Sequence, residues 1–119
     1  MVLHMARAGQ DLDGVVSFHG SLNIVNTARP GDVKAKVLVC QGAEDAFSPK
    51  ERVDAFKAHM DSLKADYKFI AYPGAKHSFT NPDADVFAKK FGLPLGYNAA
   101  ADKQSWADME AFFEMLWGK

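Results

Sequence analysis

Sulfur chemistry is scarce in this sequence: Cys40 is its single cysteine, so no internal disulfide can form. That inventory matches a reducing compartment, by default the cytoplasm. Basic residues are in no surplus, since 14 Lys+Arg stand against 15 Asp+Glu for a net charge of -1. With no positive field to neutralise a phosphate backbone, nucleic acid is not an expected partner. No apolar run nears the roughly 18 residues that span a bilayer. The opening Met1-Val-Leu-His-Met-Ala-Arg7 lacks the basic-then-apolar layout of a secretory signal, so no membrane association is expected either. His-x-x-x-His, Cys-x-x-Cys and Gly-rich phosphate loops are all missing, which leaves no expected metal site and no expected cofactor. What remains is 119 residues, 48% hydrophobic and 24% charged, a balance that fits one ordinary globular domain and excludes a disordered chain.

Residues 2 to 8 favour helix and stop at Gly9, yet Ser, Thr, Asp and Asn are absent from the first ten residues, so the helix begins without a capping side chain. Gly14-Val-Val-Ser-Phe-His-Gly20 is a β-branched run between glycines and reads as a strand. A loop with Asn23, Asn26, Pro30 and Gly31 follows. Lys36-Val-Leu-Val-Cys-Gln-Gly42 is a second strand, continuously apolar from Val37 to Cys40, as in a parallel sheet covered on both faces. Ser48, Pro49 and Glu51 have the spacing of a capping box. The helix they open carries Val53, Phe56, Met60 and Leu63 as an inward stripe. Tyr67 to Tyr72 is the third strand, stopped by Pro73-Gly74. An irregular stretch to about Ala99 holds a short helix over Asp83 to Phe91, and the last helix aligns Trp106, Met109, Phe113 and Leu116 before Gly118. Strand, helix, strand with short links is a βαβ unit with a right-handed crossover. The fold class is therefore α/β, with a three-stranded, mainly parallel sheet that has two bare edges and resembles part of a larger one.

Functional groups in open parallel sheets collect at the carboxyl ends of the strands. Asp45 follows the second strand and His77 the third. Loops leaving neighbouring strands at one edge can bring such side chains into hydrogen-bond reach. The carboxylate would then fix the imidazole tautomer and leave the other ring nitrogen free as a general base. Taken singly, Asp45 also reads as a turn residue and His77 as a surface histidine. His4, His19 and His59 have no partner by spacing. His4 falls on the first helix, His59 on the exposed side of the second, and His19 ends a strand where it could line a pocket. The stripe Trp106, Phe113, Trp117 reads as core or as a surface that met the missing half of the larger sheet.

Gly-Val-Val-Ser-Phe-His-Gly-Ser-Leu (14–22), Lys-Val-Leu-Val-Cys-Gln-Gly-Ala-Glu-Asp (36–45), His-Ser-Phe-Thr-Asn-Pro (77–82) and Ala-Asp-Lys-Gln-Ser-Trp (101–106) closely resemble the dienelactone hydrolase family. The likeness runs over almost the whole chain. It implies the C-terminal half of an α/β-hydrolase domain, with Asp45 as triad acid, His77 as triad base and a carboxylic ester or lactone as substrate. The family's nucleophile is a cysteine or serine in a Gly-x-Cys/Ser-x-Gly elbow. These residues hold no such motif. Cys40 has Leu38 two positions before it, Ser17, Ser21, Ser48 and Ser78 lack the flanking glycines, and Gly92-Leu-Pro-Leu-Gly96 has proline at its centre. The resemblance places the elbow upstream of Met1, so the chain is expected to be truncated or begun at an internal methionine, lacking nucleophile and oxyanion donors and nearly inactive alone. Dienelactone-cleaving members carry arginine four residues after the histidine, where Asn81 stands here as the candidate substrate-binding residue, which argues against a dienelactone carboxylate as ligand but not against a small ester or lactone. Phe47 and Phe79, each two residues past a triad member, would line an acyl pocket or else pack on the sheet. The alternative function is a non-catalytic module that forms a homodimer through its sheet edge and apolar helix faces.

Overall fold

The computed structural model describes residues 1–24 and 28–118. Seven elements follow in order: α1 (Val2–Arg7), β1 (Gly14–Phe18), β2 (Lys36–Gly42), α2 (Lys50–Ser62), β3 (Tyr67–Tyr72), α3 (Ala84–Phe91) and α4 (Ala99–Trp117). The strands form one parallel sheet in the order β1-β2-β3, with Val16 opposite Leu38 and Leu38 opposite Lys68. Alternation along the central strand explains its unbroken apolar run. Val37 and Val39 point to a core with Leu3, Ala6, Val15, Phe56 and Met60, while Leu38 and Cys40 point to a second core with Tyr72, Phe79 and Phe112. Helices α1 and α2 thus cover one face and α4 the other, as the period-2 pattern of a doubly covered strand requires.

Several local expectations are met. Gly9 (φ 78°) and Gly118 (φ 59°) adopt the left-handed conformation that ends their helices. Phe56, Met60 and Leu63 are buried along α2. Asn26, placed in the loop by its composition, lies outside the described residues.

Three expectations are corrected. Ser48 does not cap α2: Pro49 is the N-cap and no side chain bonds there. The Ser48 hydroxyl instead accepts a hydrogen bond from Gln41 Nε2 at 3.1 Å, because it is buried where the helix meets the sheet edge. The inward face of α4 is Ala101, Ser105 and Phe112, with Trp106 left 55% exposed. Phe112 and Leu116 press against Gly14 and Phe113 packs, partly buried, against the same core, so of the expected alignment it is Trp106 that is turned outward. His59 is half-buried, not solvated, and its Nε2 is buried without a hydrogen-bond partner among the described residues.

That burial, with the Arg7 charge second, holds the His59 imidazole below its ordinary pKa of 6.5. The unfolded chain therefore takes up the proton first. The contribution is complete above the ordinary value and is lost as pH falls through and below it. His59→Gln is expected to flatten the fall in urea midpoint on going from neutral to mildly acidic buffer. An unchanged fall would show that His59 stays solvated.

Candidate active site

The site is built where β2 and β3 end. Backbone bonds tie the two outgoing loops together, Ala43 N–H donating to Tyr72 O at 2.9 Å and Glu44 N–H to Ala75 O at 2.9 Å. Between them a tight turn, closed by Asp45 N–H to Gly42 O at 3.2 Å and Ser48 N–H to Asp45 O at 3.1 Å, aims the Asp45 side chain inward. Its Oδ1 accepts from Phe47 N–H at 2.8 Å. Its Oδ2 lies 2.9 Å from His77 Nδ1 and accepts from Gln41 Nε2 at 3.3 Å. The Asp45 side chain is fully buried, whereas that of His77 is 27% exposed. An ionised carboxylate only accepts, so the proton belongs on Nδ1 and the Nε2 lone pair is the one not committed to Asp45. A buried carboxylate holding a partly exposed imidazole by Nδ1 is an arrangement that can orient a general base.

His77 is fixed from its own loop as well. Its carbonyl accepts from Gly96 N–H at 3.2 Å, and it forms a parallel bridge with Leu95. Ser78 follows at φ 62°, a left-handed conformation unusual for serine.

Asp45 and His77, far apart in the sequence, are thus brought together. Phe47 joins them, 46% exposed with its ring centroid 4.8 Å from that of His77. Phe79 does not: it is wholly buried, 5.5 Å from the Tyr72 ring, so packing on the sheet is the role the structure shows and it offers no wall to a ligand. Asn81 is exposed and its Oδ1 accepts from Asp83 N–H at 3.0 Å, shaping the turn into α3. Cys40 is fully buried, 3.6 Å from the Tyr72 hydroxyl, and burial pushes its thiol above the ordinary value of 9.0. The thiolate a nucleophile requires is disfavoured there, which supports a structural thiol.

Of two further contributors, Gln41 was not expected and His19 was expected only to line a pocket. The two N–H of the Gln41 amide are shared among three acceptors, Gly20 O, Asp45 Oδ2 and Ser48 Oγ, joining the loops after β1 and β2. Three acceptors around one nitrogen settle which end of the amide is which. A polar residue closing an otherwise apolar buried strand was the available signal. His19 is the other: its ring stands edge-on to His77 at 5.6 Å between centroids. Among the described residues no three His, Cys, Asp or Glu side chains gather as a metal-holding group.

A parallel sheet covered by helices on both faces, with a carboxylate and an imidazole paired at its carboxyl edge, defines the class: a partial α/β fold of the hydrolase type. The dienelactone hydrolase family profile matches residues 1–116, and the chain belongs to that family. Uncharacterized protein K02A2.1 of Caenorhabditis elegans is 35% identical over 94 residues, covering 77% of this chain and 57% of that protein. A dienelactone hydrolase-like promiscuous phosphotriesterase from metagenomic libraries is similar in structure with a TM-score of 0.79 and 34% identity, over 96% of this chain and 46% of that one. A protein named m3DLH gives a TM-score of 0.80 and 34% identity over 96% and 46%. The chain therefore spans about half the length of these relatives.

Proposed function

We propose that this chain supplies the acid and base of a Cys(or Ser)–His–Asp triad that hydrolyses small carboxylic esters or lactones, with nucleophile and oxyanion donors coming from polypeptide outside these 119 residues. The observation that carries this reading is the 2.9 Å contact between the buried Asp45 Oδ2 and the partly exposed His77 Nδ1. Membership of the dienelactone hydrolase family supports a hydrolase. In the reaction, His77 Nε2 takes the proton of the incoming thiol or hydroxyl. The sulfur or oxygen then attacks the acyl carbon, and Asp45 stabilises the imidazolium that forms. His77 returns the proton to the departing alkoxide. The acyl-enzyme is opened by water, whose proton goes to the same Nε2 and from there to the departing sulfur or oxygen of the nucleophile, so that the acid is released and His77 is neutral again. Phe47 would touch the acyl group, a role supported by its exposure beside the imidazole. The phosphotriesterase among the similar structures adds neutral phosphotriesters to the compounds worth assaying.

The experiment is complementation. The chain is joined to, or mixed with, a strand–turn–helix segment carrying Gly-x-Cys-x-Gly, and turnover of a p-nitrophenyl acyl ester is measured. Turnover is expected only when both parts are present. Equal rates with and without this chain would reject the reading. A second reading, a self-associating module, is favoured by the unpaired outer edge of β1 among the described strands and by Trp106 and Trp117, 55% and 56% exposed. A stable dimer in sedimentation together with no complementation would select it.

A further inference from the structure

We propose that His19 is a positioning residue for His77, acting by clamping Thr80 and packing on the imidazole. The proposal rests on the reading of His77 as the general base. His19 leaves the end of β1 at φ 39°, with its N–H donating to Cys40 O at 2.8 Å. Its Nε2 lies 2.8 Å from Thr80 Oγ1. Its ring meets the His77 ring at 5.6 Å and the Phe79 ring at 5.3 Å, both edge-on. One imidazole from β1 therefore touches three of the four residues from His77 to Thr80.

The fourth is Ser78, held at φ 62°. A left-handed serine persists only where surrounding contacts over-determine it. The bonds from Gly96 N–H to His77 O and from Asn98 N–H to Phe79 O hold the backbone of this turn. They leave the ring's rotation to side-chain contacts. Asp45 fixes the tautomer only while the ring stays within reach of Oδ2, and a single hydrogen bond lets the ring tilt out of that reach. The His19 edge and the Thr80 anchor remove that freedom, which matters because misplacing a base by a fraction of a hydrogen bond length loses proton-transfer efficiency.

Charge agrees with the geometry. Burial first, and the nearby His77 second, lower the His19 pKa from 6.5. A neutral His19 can pack against His77 without opposing the imidazolium that Asp45 supports.

The test is carried out on the 119-residue chain by nitrogen-15 NMR of the histidine rings, which reports the tautomer of His77 without any activity. In the unaltered chain, His77 is expected as the Nδ1–H tautomer. His19→Ala and Thr80→Val are expected to raise the Nε2–H fraction several-fold while circular dichroism stays that of the folded chain, and Thr80→Ser, which keeps the hydroxyl, to restore the original fraction. Should His19→Ala not fold, the Thr80→Val and Thr80→Ser pair decides. A His77 tautomer unchanged in the variants overturns the positioning role alone. A His77 that is not Nδ1–H in the unaltered chain overturns the triad reading and this proposal together.

Discussion

In the complemented enzyme, His77→Ala is expected to bring ester hydrolysis down to background, and Asp45→Asn to lower kcat by about 10²- to 10⁴-fold with the fold intact. The asparagine keeps the shape of the aspartate, and its Oδ1 can still accept from Phe47 N–H, the bond that closes the turn. The change falls on the other atom. An amide nitrogen facing His77 Nδ1 makes that ring nitrogen an acceptor and moves the proton to Nε2. The imidazole then has no lone pair for the incoming nucleophile, and the imidazolium loses a counter-charge buried out of water. Steady-state kinetics at saturating ester, with circular dichroism to confirm folding, check this. A loss below about tenfold would mean that Asp45 serves the turn and not the base.

Gly42→Ala is expected to cost about 2–4 kcal/mol of stability, from overpacking and disrupted hydrogen bonds. A Cβ at this position would run into the backbone carbonyls of Ala75 and Lys76, in the segment leading to His77. Backbone gives way far less readily than a flexible side chain. Here the two loops are also tied by Ala43 N–H to Tyr72 O and Glu44 N–H to Ala75 O, so retreat would strain or break those bonds. The substitution would separate the turn that carries Asp45 from the one that carries His77. Denaturant unfolding of the two proteins measures the effect, and a difference under about 0.5 kcal/mol would show that the loops are free to part. Glycine is needed here for the close approach of two backbones; a left-handed conformation is not the reason.

The candidate site was half legible in the residues. Asp45 and His77 could be singled out because each follows a strand whose direction the βαβ pattern sets, and parallel neighbours deliver their loops to one edge. Phe79 shows where such reasoning stops. It stands two residues past His77 just as Phe47 stands two past Asp45, yet one is buried against Tyr72 and the other is 46% exposed beside the imidazole. Spacing along a loop does not say which way the chain turns. The left-handed Ser78 between His77 and Phe79 is a conformation that no residue pattern announces.

Local chemistry alone determined that β2 is the doubly covered strand, that β2 and β3 run parallel and where most helices stop, since periodicity and capping act over a few neighbouring residues. Only the tertiary structure decided that Ser48 turns from its helix to Gln41, that α4 buries Phe112 and exposes Trp106, and that His19 reaches Thr80 from β1. Each of these outcomes is a contest between partners far apart in the sequence. It is settled by how closely the packed layers approach, side chains of α4 against Gly14 and the backbone before His77 against Gly42, and that distance exists only once the layers have come together.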